Sequence, residues 1–167
     1  MEWKQCNSDE DIKALARCAH TVWNEHYSSI LSQTQIDYMV KRFQSFEAIK
    51  KSINEEGYVY YMLYHYEEVI AYCGFQVQGI RLFLSKLYVL KSWRNYGYAS
   101  KLLAKMTDYA REHQLESIYL TCNRFNSNSL DFYRHKGFQI IDSADTDIGH
   151  GFLMEDYILE KEITAES

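Results

Sequence analysis

The sequence contains no proline, and only seven of its 167 residues are glycine. It has no internal repeat, low-complexity tract or linker. No run approaches the ~20 apolar residues that are needed to span a bilayer, and no basic N-terminal stretch precedes an apolar segment. We therefore expect a soluble, cytoplasmic protein without a membrane partner.

Cysteine is also scarce, because the chain has only Cys6, Cys18, Cys73 and Cys122, and no two of them form a Cys-x-x-Cys pair. This spacing favours neither a zinc site nor a disulfide scaffold, so we expect reduced, mostly buried thiols and no metal. Positive charge is in the minority, with 18 Lys and Arg against 23 Asp and Glu. A formal charge of -5 argues against nucleic acid as a partner and suits a cationic substrate better.

Hydrophobic residues make up 47% of the chain and aromatic residues 16%, which predicts one compact domain over residues 1–167. Apolar residues recur first at helical spacing, then at strand spacing, and then in alternating strand and helix segments. This order predicts an α/β fold built on a mixed sheet. The first predicted helix is capped by Ser8, and the others are Gln33–Phe43, Phe46–Asn54, Gly97–Glu112 and Ser127–His135. The predicted strands are a hairpin over Tyr58–Val77 that turns at Glu67–Glu68, followed by Arg81–Leu90, Glu116–Thr121, Phe138–Ile141 and Phe152–Leu159.

A predicted strand runs through a short turn directly into a predicted helix, and the turn contains the pattern Arg94-x-x-Gly97-x-Ala99. The first N–H groups of a helix have no intrahelical partner, and the helix dipole adds positive potential there. Small residues let the backbone approach an anion closely, so a pyrophosphate can bind at this turn. The pattern lacks the glycines of a dinucleotide-binding fingerprint and the Gly-Lys-Ser/Thr ending of a P-loop.

A second pattern follows about thirty residues later, Asn126-x-x-Ser129-x-x-Phe132-Tyr133-x-x-x-Gly137-Phe138. The two patterns together, in this order, resemble the two signatures of the GNAT acetyltransferases over roughly residues 86–141. One departure is Lys91, near which the family often has proline. From the residues alone, Phe132 and Phe138 are interpreted as core, and Gly137 as a helix C-terminal residue with positive φ.

The resemblance implies the GNAT fold, in which a mixed, largely antiparallel central sheet of six to seven strands is flanked by helices. It implies that acetyl-coenzyme A is the co-substrate, and that a primary amine attacks its thioester directly. Tyr133 is then the general acid that protonates the leaving thiolate, while backbone N–H groups near Tyr88 and Val89 hold the thioester oxygen. The residues expected to bind the coenzyme are Leu87, Tyr88, Val89, Arg94, Asn95, Tyr96, Gly97, Tyr98, Ala99, Ser100, Asn126, Ser129 and Tyr133.

In the family, the first helices, the hairpin and the last strands form the acceptor pocket. Aromatic and titratable groups that could hold an ammonium ion are therefore expected there, and His26 and Glu25 are candidate general bases. The segment Asp142–Gly151 lacks the spacing of a calcium loop and is interpreted as a solvated acidic turn. The stretch from Asp145 to Tyr157 resembles a bacterial branch that includes polyamine acetyltransferases, which favours a polyamine-like acceptor. The candidate acceptor residues are Trp23, Glu25, His26, Tyr27 and Tyr38.

Two other functions share these motifs and stay open from the sequence. One is acetylation of a protein or peptide amine, and the other is a regulator that binds coenzyme A without catalysis. Tyr133 argues against the regulator. Exposed aromatic side chains would also allow a homodimer.

Overall fold

The computed structural model describes residues 1–163, which form seven strands and five helices. The strands are β1 (Glu2–Gln5), β2 (Val59–His65), β3 (Glu68–Gln78), β4 (Arg81–Val89), β5 (Ser117–Asn123), β6 (Gln139–Gly149) and β7 (Phe152–Glu162). The helices are α1 (Asp9–Tyr27), α2 (Gln33–Phe43), α3 (Phe46–Glu55), α4 (Tyr98–Glu112) and α5 (Ser127–His135), and a 3₁₀ turn spans Lys91–Trp93.

Hydrogen bonding orders the strands as β1-β2-β3-β4-β5-β7-β6. The β4–β5 pair is parallel, whereas β1–β2, β2–β3, β5–β7 and β6–β7 are antiparallel. This arrangement confirms the predicted α/β fold with a mixed, largely antiparallel sheet. The described residues pack as two compact units, an N-terminal unit of Met1–Gln76 with Lys86–Met106, and a C-terminal unit of Val77–Ser85 with residues 107–163. The single-domain boundary stays a prediction.

A serine N-cap precedes each of the helices α1 to α3 of the N-terminal unit. The Ser8 hydroxyl accepts from the Asp11 N–H at 3.1 Å, and the Asp11 carboxylate accepts from the Ser8 N–H at 3.4 Å, which completes a capping box. Ser32 and Ser45 cap α2 and α3 through bonds of 3.2 Å. The apolar faces that these helices bury join β2 and β3 in one core, whose largest fully buried side chains include Leu15, Ile36, Met39, Ile49, Tyr60, Met62, Leu63, Ile70, Tyr72 and Phe75.

In the C-terminal unit, β4 and β5 pair in parallel from Arg81 with Ser117 to Leu84 with Leu120. The other edge of β5 pairs with β7, and β7 forms a long antiparallel hairpin with β6. Helix α5 ends before Gly137, whose φ of +94° confirms the expected left-handed residue at this helix end. All four cysteines are free and buried, as expected.

Two sequence-based expectations need correction, and one strand is absent from the predicted elements. The interpretation of Asp142–Gly151 as a solvated turn is wrong up to Gly149, because β7 pairs with this segment and satisfies its backbone groups. Strand β1 was not predicted; it is four residues long and is formed through its pairing with β2. The turn of the first hairpin lies at Tyr66–Glu67, one residue earlier than expected. No helix among the described residues is long and apolar enough to cross a membrane.

Candidate active site

The N-terminal unit contains the turn that joins β4 to α4. Asn95 and Gly97 both have left-handed backbone conformations, with φ of +70° and +81°. The N–H group of Lys101 bonds to the Gly97 carbonyl at 3.1 Å, which is the first i to i−4 bond of α4. The N–H groups of residues 98–100 precede this bond, so the helix does not use them. The turn therefore presents a helix N-terminus of the kind that binds phosphate groups.

Arg94 lies in the same turn, four residues before α4 begins. Its Nε donates to the Val89 carbonyl at 3.5 Å, a long bond that ties the side chain to the end of β4. Its Nη2 is buried and has no hydrogen-bond partner among the described residues. A buried guanidinium nitrogen without a partner is costly unless an anion or another acceptor binds it. Arg94 and the first turn of α4 thus fit the pyrophosphate of a coenzyme.

His26 approaches the same carbonyl from the end of α1. The Val89 carbonyl accepts a hydrogen bond from the His26 ring, while Nε2 of the ring is buried with no partner among the described residues. The pKa of His26 is lowered to about 4, chiefly because burial disfavours the charged ring and then because Arg94 is nearby. The ring is therefore neutral at pH 7.

The neighbouring Glu25 is exposed, and its carboxylate binds a backbone N–H group of the 3₁₀ turn. Its Oε1 accepts a 2.9 Å hydrogen bond from the N–H group of Lys91, the first residue of the 3₁₀ turn. This bond ties the last turn of α1 to the segment between β4 and α4. The contact orients the chain but also occupies a carboxylate oxygen of the candidate base.

The other candidate acceptor residues on α1 pack against β4. The Trp23 and Tyr27 rings are buried with their centroids 4.7 Å apart, and both contact Tyr88. The Trp23 and Tyr88 centroids are 5.9 Å apart, and the hydroxyls of Tyr27 and Tyr88 lie 3.3 Å apart. Tyr38 lies on α2, where its hydroxyl accepts a hydrogen bond from Arg42. The structure thus brings Trp23, His26 and Tyr27 together at Tyr88. Tyr38 makes a different contact, with Arg42 of its own helix.

Aromatic rings also lie along the turn between β4 and α4. Tyr96 is 64% exposed and stacks on Tyr98 with a centroid distance of 5.9 Å. Trp93 lies 6.2 Å from the Tyr96 ring. The other turn and strand residues expected to bind coenzyme are half-buried at Leu87, Ala99 and Ser100, and exposed at Asn95.

The second set of site residues belongs to the C-terminal unit. Asn126 is the N-cap of α5, and its Oδ1 accepts from the Ser129 N–H at 3.3 Å. Tyr133, on the same helix, is only 7% exposed, and its ring makes edge contacts with Phe132 and Phe138 at 5.2 and 5.5 Å. The second pattern is therefore a capped helix that packs its tyrosine between two phenylalanines.

Two buried ionisable residues received no role from the sequence. Lys86 on β4 is 9% exposed and donates to the Tyr60 hydroxyl at 2.9 Å, and burial lowers its pKa to about 8. Asp156 on β7 is 8% exposed, its Oδ1 has no partner among the described residues, and burial raises its pKa to about 6. A charged residue inside an apolar strand is the sequence signal that could have singled out both. Among residues 1–163, no group of three or more His, Cys, Asp or Glu side chains is arranged to hold a metal ion.

The α/β fold and a helix N-terminus that fits a pyrophosphate are typical of coenzyme-binding proteins, and comparisons with known proteins specify the class. The sequence model described as the acetyltransferase (GNAT) family matches residues 17–138. The chain is 26% identical over 138 residues to the uncharacterized N-acetyltransferase YjgM of Escherichia coli K12, covering 76% of this chain and 83% of that protein.

Solved structures show the same fold. The PaiA N-acetyltransferase of Thermoplasma acidophilum, solved with coenzyme A, matches with a TM-score of 0.81 and 21% identity, over 97% of this chain and 99% of that one. A GCN5-related N-acetyltransferase of Rhodopseudomonas palustris matches with a TM-score of 0.80 and 11% identity, over 96% and 94%. The chain belongs to the GNAT acetyltransferase family, and it is an N-acetyltransferase that depends on acetyl-coenzyme A.

Proposed function

We propose that this enzyme acetylates a primary amine of a small cationic substrate, similar to a polyamine. The observation that carries this proposal is the acidity of β6, where Asp142, Asp145 and Asp147 are all exposed on a chain of formal charge -5. Exposed carboxylates concentrated on one strand attract a polycation and raise its local concentration. A protein or peptide amine is the alternative acceptor.

Acetyl-coenzyme A supplies the acetyl group as a thioester, and the residues of the N-terminal unit would hold it. The N–H groups of Tyr98, Ala99 and Ser100 and the free Nη2 of Arg94 would bind the pyrophosphate, because they are donors without partners inside the helix or side-chain network. Backbone N–H groups near Tyr88 and Val89 would bind the thioester oxygen and stabilise the oxyanion.

The reaction requires a neutral amine and a protonated leaving group. An alkyl ammonium has a pKa near ~10.4, so only about one molecule in a thousand is neutral at pH 7 and a base must remove its proton. The neutral nitrogen then attacks the acetyl carbonyl, and the C–S bond breaks. Tyr133 is proposed to donate its hydroxyl proton to the departing sulfur, as the position of this tyrosine in the family pattern suggests.

Replacing Tyr133 by phenylalanine tests the proposed acid, because the substitution keeps the ring that packs on Phe132 and Phe138. We expect kcat to fall by about 10²–10⁴-fold, the usual contribution of a positioned acid or base, while the Kd of coenzyme A changes little. Tyr66→Phe, at a side chain that is 88% exposed, is the matched control and should retain full activity. An unchanged kcat in Tyr133→Phe would remove the assignment.

The acceptor class is tested by measuring release of free coenzyme thiol with spermidine, amino acids, an aminoglycoside and a peptide. We expect the highest kcat/KM with spermidine. A preference for the peptide would favour the alternative acceptor. Failure of every amine, combined with tight coenzyme A binding, would favour a regulator.

The cellular setting stays part of the proposal. The four unpaired thiols fit a reducing compartment, so we propose that the enzyme acts in the cytoplasm. A homodimer is a prediction that a mass measurement in solution would check.

A further inference from the structure

Asp156 is an unusual residue for the middle of a strand. Its side chain is 8% exposed, and its Oδ1 has no hydrogen-bond partner among the described residues. Burying a carboxylate is costly unless it is paired with a cation or fully hydrogen-bonded. A buried, unsatisfied carboxylate oxygen therefore indicates a place for a ligand with hydrogen-bond donors.

The neighbours of Asp156 do not supply the missing cation. Asn123 lies opposite it on β5 and uses its own Oδ1 to accept from the Phe125 N–H at 2.9 Å. Ala144 lies opposite it on β6 and has no polar side-chain group. Neither cross-strand neighbour on this face of the sheet can neutralise the carboxylate.

Arg124 is the cation that acts on Asp156, but other carboxylates already bind it. Its Nη2 lies 2.7 Å from Asp145 and 3.5 Å from Glu155, two residues paired with each other across β6 and β7. Side chains alternate between the faces of a strand, so Glu155 and Asp145 lie on the face opposite Asp156. The carboxylates of Asp145, Glu155 and Asp156 thus share one guanidinium, so negative charge is in excess around Arg124.

Asp156 pairs with the end of β5, the strand that leads into the second family pattern. Its partner Asn123 is the last residue of β5, and only Arg124 and Phe125 separate it from Asn126, the N-cap of α5. The β4–β5 pair is the parallel part of this sheet, and ligands of parallel α/β sheets bind beyond the carboxyl ends of the strands. The unsatisfied oxygen belongs to a residue paired with that end of β5.

An exposed carboxylate accompanies Asp156 on the same face. Asp142 pairs with Ile158, two positions along β7 from Asp156, which places Asp142 and Asp156 on diagonal sites of the β6–β7 hairpin. Diagonal Cβ atoms lie roughly 7–8 Å apart, within the reach of long side chains and of a flexible diamine. One buried and one exposed carboxylate on one face match a substrate that carries two ammonium groups.

We propose that Asp156 binds the reacting ammonium of the acceptor and takes its proton, while Asp142 binds a second ammonium of the same molecule. This inference rests on the proposed function. The Asp156 carboxylate gains one proton from the ammonium, the resulting amine forms the C–N bond, and the C–S bond breaks. The nitrogen then loses a second proton, which restores the proton that Tyr133 gives to the thiolate. The proton on Asp156 passes to solvent, so one proton is released in each turnover.

The electrostatics of the site support this role. Burial raises the pKa of Asp156 to about 6, Arg124 opposes the rise and Asp145 adds to it. The buried Cys122 thiol is also close, and the charge of Asp156 contributes to raising its pKa to about 12, after burial itself. A carboxylate that titrates near 6 is ionised at pH 7 and is a stronger base than an ordinary aspartate. By contrast, His26, with a pKa of about 4, is a weaker base at that pH.

The test compares the wild-type enzyme with Asp156→Asn, which keeps the shape and removes the charge. Activity with spermidine is followed from pH 5 to pH 9. We expect wild-type kcat/KM to fall below pH 6, and Asp156→Asn to lose at least 100-fold in kcat/KM together with this pH dependence. The Kd of coenzyme A should change less than twofold. Asp156→Asn with activity within threefold of wild type, or with the same pH dependence, would overturn the proposal.

Two further variants separate the roles of the neighbouring charges. Glu155→Gln removes the adjacent carboxylate on the opposite face and should retain the pH profile and most of the activity. Asp142→Asn should raise the KM for spermidine about tenfold and leave kcat and its pH profile in place. If Glu155→Gln lost the activity change near pH 6, that change would be assigned to the Glu155–Arg124 pair. This result would contradict the role of Asp156.

A titration of the wild-type protein keeps the proposal testable if Asp156→Asn fails to fold. The Asp156 carboxyl is followed by carbon NMR in the presence of coenzyme A, with and without spermidine. Spermidine should lower its pKa, and an unchanged titration would refute the contact. If wild type released no thiol with any amine, the proposed function would fail, whereas a spermidine-dependent shift of Asp156 would still support the binding site.

Discussion

Gly97→Ala is the most direct test of the phosphate-binding turn. Gly97 has a φ of +81°, and a Cβ built on it meets no atom within 4 Å. The substitution therefore causes backbone strain but no clash within the chain. A non-glycine residue in the left-handed region costs roughly 1–2 kcal/mol, which for a protein of this size lowers Tm by roughly 2–8 °C.

The effect on coenzyme binding should be larger than this strain. Gly97 precedes the N–H groups that are proposed to bind the pyrophosphate, and a methyl group there would hinder a close approach of the phosphates. Losing one charge-assisted hydrogen bond costs about 1.5–3 kcal/mol, so the Kd of coenzyme A should rise roughly 10- to 100-fold. Calorimetric titration with coenzyme A measures this change directly.

Gly57→Ala is the matched control in the same unit. Gly57 has a φ of +72° and also has no atom within 4 Å of a built Cβ, so its substitution should cost a similar strain. It lies in the loop between α3 and β2, away from the turn in sequence. We expect a similar fall in Tm with an unchanged Kd. Equal coenzyme A affinity in Gly97→Ala, Gly57→Ala and wild type would refute the phosphate-binding role of the turn.

Two further predictions concern stability. Asp11→Ala should lower the free energy of unfolding by about 1–3 kcal/mol in a denaturant titration, because it removes the capping box of α1 and leaves the Tyr64 hydroxyl, 3.0 Å from Oδ1, without its partner. Lys4 also loses its partner, but its side chain is 45% exposed, so water solvates the ammonium group and this loss adds little. A loss below about 0.5 kcal/mol would contradict this expectation. His26 is expected to make the protein less stable as pH falls from about 6.5 towards 4, because its pKa in the fold is about 4 and the unfolded chain binds the proton more readily. His26→Gln should reduce this dependence, and an identical pH profile would contradict the assignment.

Local sequence signals predicted most of the helices and strands. The bounds of α2 and α5 match the structure, because each begins at a polar cap and continues with apolar residues at helical spacing. The Ser8 and Asp11 pair likewise predicted the start of α1. These signals act within one turn of helix, so they do not depend on the rest of the chain.

Segments whose structure depends on a distant partner were missed or assigned differently. The backbone of β1 is ordered by pairing with β2, some sixty residues later, and its four residues are too short to show a period. The segment Asp142–Gly149 has turn-like composition, but hydrogen bonds from β7 make it a strand. Composition cannot show such a partner.

The candidate site divides in the same way. The sequence by itself determined the fold class, the turn that leads into α4 and the helix of the second family pattern, because the residues that specify each element are close along the chain. The phosphate-binding role of that turn stays a prediction. Only the tertiary structure showed that the Val89 carbonyl is shared by His26 and Arg94, that Glu25 is bound to Lys91, and that Asp156 is buried without a partner. Burial and pairing arise when strands and helices distant in sequence pack together, and the resulting loss of water sets the charge and the free bonding capacity of each group.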